Sequence, residues 1–275
     1  MPKRLIQGQA TKLGRSVHNI RYDPVHDEII GAHPVAQAIL IFRGAADGNE
    51  APIRTIMGPK TQLWDPDYVG VDGVHNEIYV SSGERVLVFD QQANGDVAPL
   101  RIIEGPDTML GRMRGAPQIV PELNLMVVSA GNIPGKPGNG KLLIFNRTDN
   151  GNVKPLRVIS LGPKAGYFGG DFVVSPKGFI LIPGTNNEGR GGRGGGGGGG
   201  EEGGGEGGGD RGQPNRIIKI WSVYDNGDVP PRWIFGGPMS KLAGGNVALN
   251  PKLKEIIVHT GDENGMSGYS LPEIF

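Results

Sequence analysis

Val86-Leu87-Val88-Phe89, Asn94-Gly95-Asp96, Pro99, Leu100-Arg101-Ile102-Ile103 and Gly105 read in order as a strand, a turn, a proline, a second strand and a closing glycine. Asn-Gly between two apolar runs is a strong hairpin signal, because both residue types tolerate positive φ. Pro99 stands at the mouth of the second strand, where a missing N–H does little harm. The stretch decides the fold because it recurs. Pro52-Ile53-Arg54-Thr55-Ile56, Pro155-Leu156-Arg157-Val158-Ile159 and Pro230-Pro231-Arg232-Trp233-Ile234 repeat its second half, and the chain starts with a fifth copy, Pro2-Lys3-Arg4-Leu5-Ile6. The arginines fall at 4, 54, 101, 157 and 232. A period of about 50 residues is that of a propeller or solenoid.

Other elements keep the same phase. A short connector follows the arginine strand, as in Thr11-Lys12-Leu13, Thr61-Gln62-Leu63, Thr108-Met109-Leu110 and Ser240-Lys241-Leu242, and its leucine is expected to be an apolar peg between units. First strands are expected at Val17–Tyr22, Tyr68–Asp72, Ala116–Val120, Asp171–Ser175 and Asn246–Asn250. Second strands follow at Glu28–Ala32, Glu77–Ser81, Leu125–Ser129, Phe179–Pro183 and Ile256–Thr260, and third strands at Ala38–Phe42, Val86–Phe89, Leu142–Phe145, Ile218–Trp221 and Gly268–Leu271. The strands are rich in β-branched and aromatic residues, and no helical period competes with them.

The fold expected is therefore an all-β propeller of five four-stranded blades, forming one domain over residues 1–275. The chain starts on a fourth strand and ends on a third, so Arg4–Gly8 is expected to pair with the C-terminal blade and close the ring. Such pairing would remove two exposed strand edges. Residues 184–215 lengthen the fourth unit with the run Gly194–Gly200 among scattered acids. Such a segment has too little apolar surface to offset its ordering entropy and is expected to be a disordered loop.

Composition narrows function. The 275 residues carry 28 Lys+Arg and 28 Asp+Glu, so no basic surplus marks a DNA-binding or anionic-membrane surface. Arg190, Arg193 and Arg211 in the glycine tract hint at RNA-binding segments, but four acids in the same tract oppose them. With no cysteine there is no disulfide, thiolate metal site or thiol nucleophile. Met1–Gln7 lacks the apolar core of a signal peptide and no run approaches a membrane span. Compartment stays open, with an extracytoplasmic location allowed if a signal was trimmed.

The Val/Ile-Phe strand, the Asn-Gly-Asp-Val-Ala-Pro turn, the Arg-x-Ile-x-Gly strand and the Asp-x-x-x-Asn-Glu-Ile-Tyr-Val hairpin resemble NHL-type β-propeller repeats of bacterial proteins. The best copies are Ala93–Gly105 and Val71–Ser81. The resemblance covers nearly all of the chain outside the glycine tract. It implies a binding scaffold, a metal-dependent hydrolase or lyase in some relatives, and a six-bladed ring as the alternative to the five units counted here.

In a propeller, ligands meet the rim of the axial channel, where first strands start and second strands end. The repeat places His18, Asp67, Tyr68, Arg114, Asp171 and Asn246 at strand starts, and His33 and His259 at strand exits. Units that agree in their strands differ at these positions, as a ligand-binding face would. His18, His33 and His259 belong to the first and last blades, neighbours in a closed ring, and are candidate ligands for a divalent metal that would activate water. Isolated hydrogen-bonded histidines are the structural alternative. No catalytic residue is assigned. His26 and His75 share one hairpin-turn position, and the repeated arginines stand beside Asp or Asn turns. Both patterns point to structural pairing. The functions carried forward are a non-enzymatic scaffold binding a protein, peptide or glycan at the channel mouth, a metal-dependent hydrolase or lyase at that mouth, and a structural unit of a surface assembly.

Overall fold

A computed structural model describes residues 2–113, 115–131, 140–161, 172–185, 216–237, 240, 242, 246–260 and 265–275. The chain is all-β, with five antiparallel sheets set as blades in a ring, a β-propeller. The blades are β1–β4 (Asn19–Asp23, Glu28–His33, Ala38–Arg43, Arg54–Met57), β5–β8 (Pro66–Asp72, Glu77–Ser82, Arg85–Asp90, Arg101–Ile103) and β9–β12 (Gln118–Val120, Leu125–Ala130, Gly140–Asn146, Arg157–Leu161). Then come β13–β16 (Val173–Val174, Phe179–Thr185, Arg216–Ser222, Trp233–Gly236) and β17–β19 (Val247–Asn250, Glu255–Thr260, Gly265–Ser270).

Third strands such as Ala38–Phe42, Val86–Phe89 and Leu142–Phe145 are apolar without alternation and buried throughout. An antiparallel strand open on one face would alternate. Here each sheet lies between two others, so both faces need apolar cover. Between the first two blades, Ile30, Ile39, Ile41 and Ile56 meet Val69, Ile78, Val80, Leu87 and Phe89, with Leu63 wedged among them. Each such side chain contributes about 1.5–3 kcal/mol on burial. Leu110 and Leu242 fill the same peg position at later interfaces.

The opening hairpin turns out to join blades as well. Gly95, φ 77°, forms a parallel bridge to Ile56 of the preceding blade, and Asn94 Oδ1 accepts the Thr55 amide at 3.0 Å. Gly151 bridges Ile103 and Gly227 bridges Ile159 in the same way, with Asn150 and Asn226 accepting from Ile102 and Val158. Only the glycine takes positive φ, and the asparagine serves as a clamp on the neighbouring strand.

The repeated arginines are structural, and in the first two blades their partner is the glutamate opening the second strand. Arg54 Nη2 lies 2.7 Å from both Glu28 carboxylate oxygens, and Arg101 Nη2 lies 2.9 Å from Glu77 Oε2. Only Arg232 uses a turn acid, Asp225 at 2.7 Å. Leu125 and Phe179 replace the glutamate in the third and fourth blades, and Arg157 sits over the Tyr224 ring instead. His26 and His75 anchor their turns through Asp23 and Asp72, at 2.7 and 2.8 Å.

The last blade departs from the expected closure. Its sheet has three strands, and residues 4–8 form no ladder with β19. Ile6 instead bridges Gly48 of the first blade, the same contact that Ile56 makes with Gly95. The N-terminal segment thus stands where the last blade's outer strand would meet the first. The seam beside it is thinly packed. Ile20 and Tyr22, on the face of the first blade turned from the second, are 57% and 55% exposed, and Met266 on β19 is 78% exposed. The sequence of β19, Gly-Met-Ser-Gly-Tyr-Ser, lacks the apolar run that two buried faces demand. In the fourth blade, β14 and β15 pair as far as Thr185 and Arg216, so the glycine-rich insertion leaves and rejoins the sheet at one point. Residues 186–215 lie outside the described residues.

Candidate functional site

The first strands surround the axis. Arg21, Gly70, Gln118, Val173 and Ala248 hold one register position in the five blades. Four of them, with Phe172, Val174, Asn246, Val247 and Leu249, line a cavity of about 290 Å³. Gly70 lets the second and third blades close up, since a Cβ there would sit 2.2 Å from the Pro117 carbonyl oxygen.

One end of this channel carries a charged row across three blades. His18 and Asp67 occupy equivalent positions in neighbouring blades, and their Nδ1 and Oδ1 atoms are 2.8 Å apart. Asn19 Oδ1 accepts the Val69 amide at 3.1 Å, which fixes the two strand starts against each other. From the third blade, Arg112 Nη2 lies 3.6 Å from Asp65 Oδ2 and 3.7 Å from Asp67 Oδ2. Those distances are electrostatic contacts and exceed hydrogen-bond range. Asp65 has φ 51°, a left-handed conformation rare outside glycine.

Trp64 adjoins this row and is 62% exposed. Its amide donates to Ser82 Oγ at 2.8 Å and its carbonyl accepts the Ser82 hydroxyl at 2.7 Å. The indole lies against Gly83, φ 63°, where a Cβ would approach the ring to 2.8 Å. The result is an aromatic face presented to solvent from an anchored backbone, an arrangement suited to amphipathic ligands.

The structure brings His18, Asp67 and the half-buried Tyr68 to this mouth. Asn246 is exposed and lines the axial cavity. His33 is buried: its Nδ1 accepts the Ala36 amide at 3.3 Å, and Gly14 leaves room for its Nε2, which a Cβ would approach to 2.5 Å. Arg114, Asp171 and the His259 side chain lie outside the described residues. Among the described residues no group of three or more His, Asp and Glu side chains is arranged to hold a metal ion. Asp65 and Arg112 are the additions. Asp65-Pro66 reads in sequence as turn chemistry, and Arg112 gives no signal beyond its connector position. Among the described residues no helix is long and apolar enough to cross a membrane.

No family model and no curated protein matches the chain. Among solved structures it is similar to Kuenenia stuttgartiensis hydrazine synthase, with a TM-score of 0.54 and 11% identity, over 92% of this chain. The chain spans 58% of the length of that structure, and a likeness at this identity concerns the fold alone. Blade order, register and this likeness together identify the architecture as a β-propeller.

Proposed function

We propose that the chain is a binding propeller of NHL-repeat type, a scaffold that takes a protein, peptide or glycan at the channel mouth. The exposed Trp64 beside the His18–Asp67–Arg112 row carries this reading. The hidden faces of the blades repeat one another, whereas His18, Asp67 and Gly115 differ at one register position of the mouth. Selection for binding leaves such a pattern: uniform scaffold, individual rim. Tyr68 and Asn246 belong to the same proposed face.

The test uses immobilised protein against a phage-displayed peptide library and a broad glycan array. Wild type is compared with a His18→Ala/Arg112→Glu variant and with a Val25→Lys/Val74→Lys control at the opposite end of the blades. Ligands selected by wild type should be lost on the mouth variant and kept by the control. Ligands retained by the mouth variant overturn the proposal.

A further inference from the structure

We infer that the mouth of the first three blades is a carbohydrate subsite, with Trp64 as the platform for one pyranose ring; this rests on the binding reading above. Trp64 is not demanded by the fold. Its connector, Thr61-Gln62-Leu63-Trp64, matches Thr11-Lys12-Leu13-Gly14 and Thr108-Met109-Leu110-Gly111, where glycine serves. Leu63 fills the core between blades, while the indole buries little. A large aromatic at a position that needs no side chain calls for another cause.

The geometry fits a sugar. Ser82 ties both backbone polar groups of Trp64 and Gly83 backs the ring, so the backbone that carries the platform is already anchored and less ordering entropy is lost on binding. A pyranose presents one face of C–H groups, suited to an aromatic ring, and an edge of hydroxyls. The groups in the same loops suit that edge. Asp65 and Asp67 supply carboxylate acceptors, and Arg112, 68% exposed, supplies a planar fork of donors able to span vicinal hydroxyls. Arg85, bound to the Gln62 carbonyl at 2.8 Å, adds another guanidinium nearby. A protein partner would favour a wider apolar centre around the aromatic anchor. Here the neighbours in the loops are polar, charged at Asp65, Asp67 and Arg112 and neutral at Gln62 and Ser82. The opposing charges of Asp65, Asp67 and Arg112 leave no strong excess of either sign, which favours a neutral sugar over a polyuronate.

The glycan array above and titration calorimetry with chitohexaose, cellohexaose, maltohexaose and trigalacturonate provide the test. A neutral oligosaccharide should bind wild type. Trp64→Ala should lower its affinity about tenfold or more, the loss of one aromatic contact, while Trp64→Phe should lose less. Trp233→Ala, an exposed indole on the outer strand of the fourth blade, should leave binding unchanged. Melting curves of the three variants check that each is folded. Mouth-dependent peptides with no saccharide bound would overturn the carbohydrate inference and leave the binding proposal standing. Saccharide binding unaffected by Trp64→Ala would overturn this inference alone. Ligands of either kind that ignore His18 and Arg112 would overturn both.

Discussion

Arg54 and Arg101 occupy the same repeat position, yet their removal should differ in cost. Glu28, nearly buried, is held by Arg54 Nη2 and by Gln91 Nε2 at 2.7 Å. Arg54→Ala leaves that carboxylate with one neutral donor, a buried charge without its partner, at about 3–5 kcal/mol. Glu77 has more support. Its Oε2 accepts Tyr79 Oη–H at 2.6 Å, Arg101 Nη2 at 2.9 Å and Arg147 Nη1 at 2.7 Å. Arg101→Ala leaves a guanidinium and a phenol in place, so the cost should be that of one charge-assisted hydrogen bond, about 1.5–3 kcal/mol. Both substitutions remove the same stem, so packing largely cancels in the comparison. Urea unfolding followed by circular dichroism at pH 7 reads both values. Arg101→Ala equal to or costlier than Arg54→Ala would refute the role given to Arg147, as would an Arg101→Ala/Arg147→Ala pair that costs only the sum of its parts. Acid gives a second readout. Burial raises the Glu77 carboxyl, but hydrogen bonds from Arg101 and Tyr79 outweigh it and hold the group below its ordinary 4.5. Its contribution is full above that value and lost as pH falls through the depressed folded value, so the wild type's advantage over Arg101→Ala should shrink in strong acid.

Gly105 has φ 113° and a Cβ there would meet Asn152 Oδ1 at 2.5 Å, whereas Gly151, φ 77°, faces open space. Gly105→Ala should cost well above the ~1–2 kcal/mol of left-handed strain expected for Gly151→Ala, and equal urea midpoints would contradict the close approach. The His26 imidazole is raised above its ordinary 6.5, first by its hydrogen bond to Asp23. Its stabilisation is complete below 6.5 and fades as pH rises through the raised folded value, so the midpoint gap between wild type and His26→Gln should narrow from pH 5.5 to 8.5. A gap that widens with pH would count against the Asp23 pairing. Ile6 and Ile56 make equivalent bridges, but Ile6 is half-buried and Ile56 fully buried. Ile56→Ala should cost about 2–5 kcal/mol and Ile6→Ala about 1–2, and equal losses would mean that the N-terminal segment is as embedded as a true blade strand.

Much of the scaffold was legible because it obeys local rules that recur from blade to blade. The Pro-x-Arg strands, the connector leucines and the Asp–His turns all carry their structural cause in their own sequence. The glutamate partner of Arg54 was hidden because Glu28 is 26 residues away, on a strand of the same sheet separated from that of Arg54 by a third. The site was less legible. His18 and Asp67 stand 49 residues apart and meet only through the blade-to-blade register, so the sequence yields each as a candidate without their pairing. His33 has the same chemistry, yet it turns inward against Gly14, a matter of loop path that periodicity does not encode. The missing ladder between Arg4–Gly8 and β19 could not be read from the presence of a matching strand. It depends on where the backbone of the segment lies in the ring, and Ile6 bridges Gly48 of the first blade.

The thin seam between the last and first blades bears on how the molecule comes apart. Were every interface equally strong, the ring would have no preferred point of rupture and would be lost in one concerted event. With one weak joint, the blades behave as a linear stack of nearest-neighbour units, whose ends open at lower free energy than the middle. Amide protons of β17–β19 should then exchange through partial opening while those of β5–β8 await global unfolding. The rim at Trp64 lies where the first blade, one end of that stack, meets the second, so its integrity depends on an end unit staying docked.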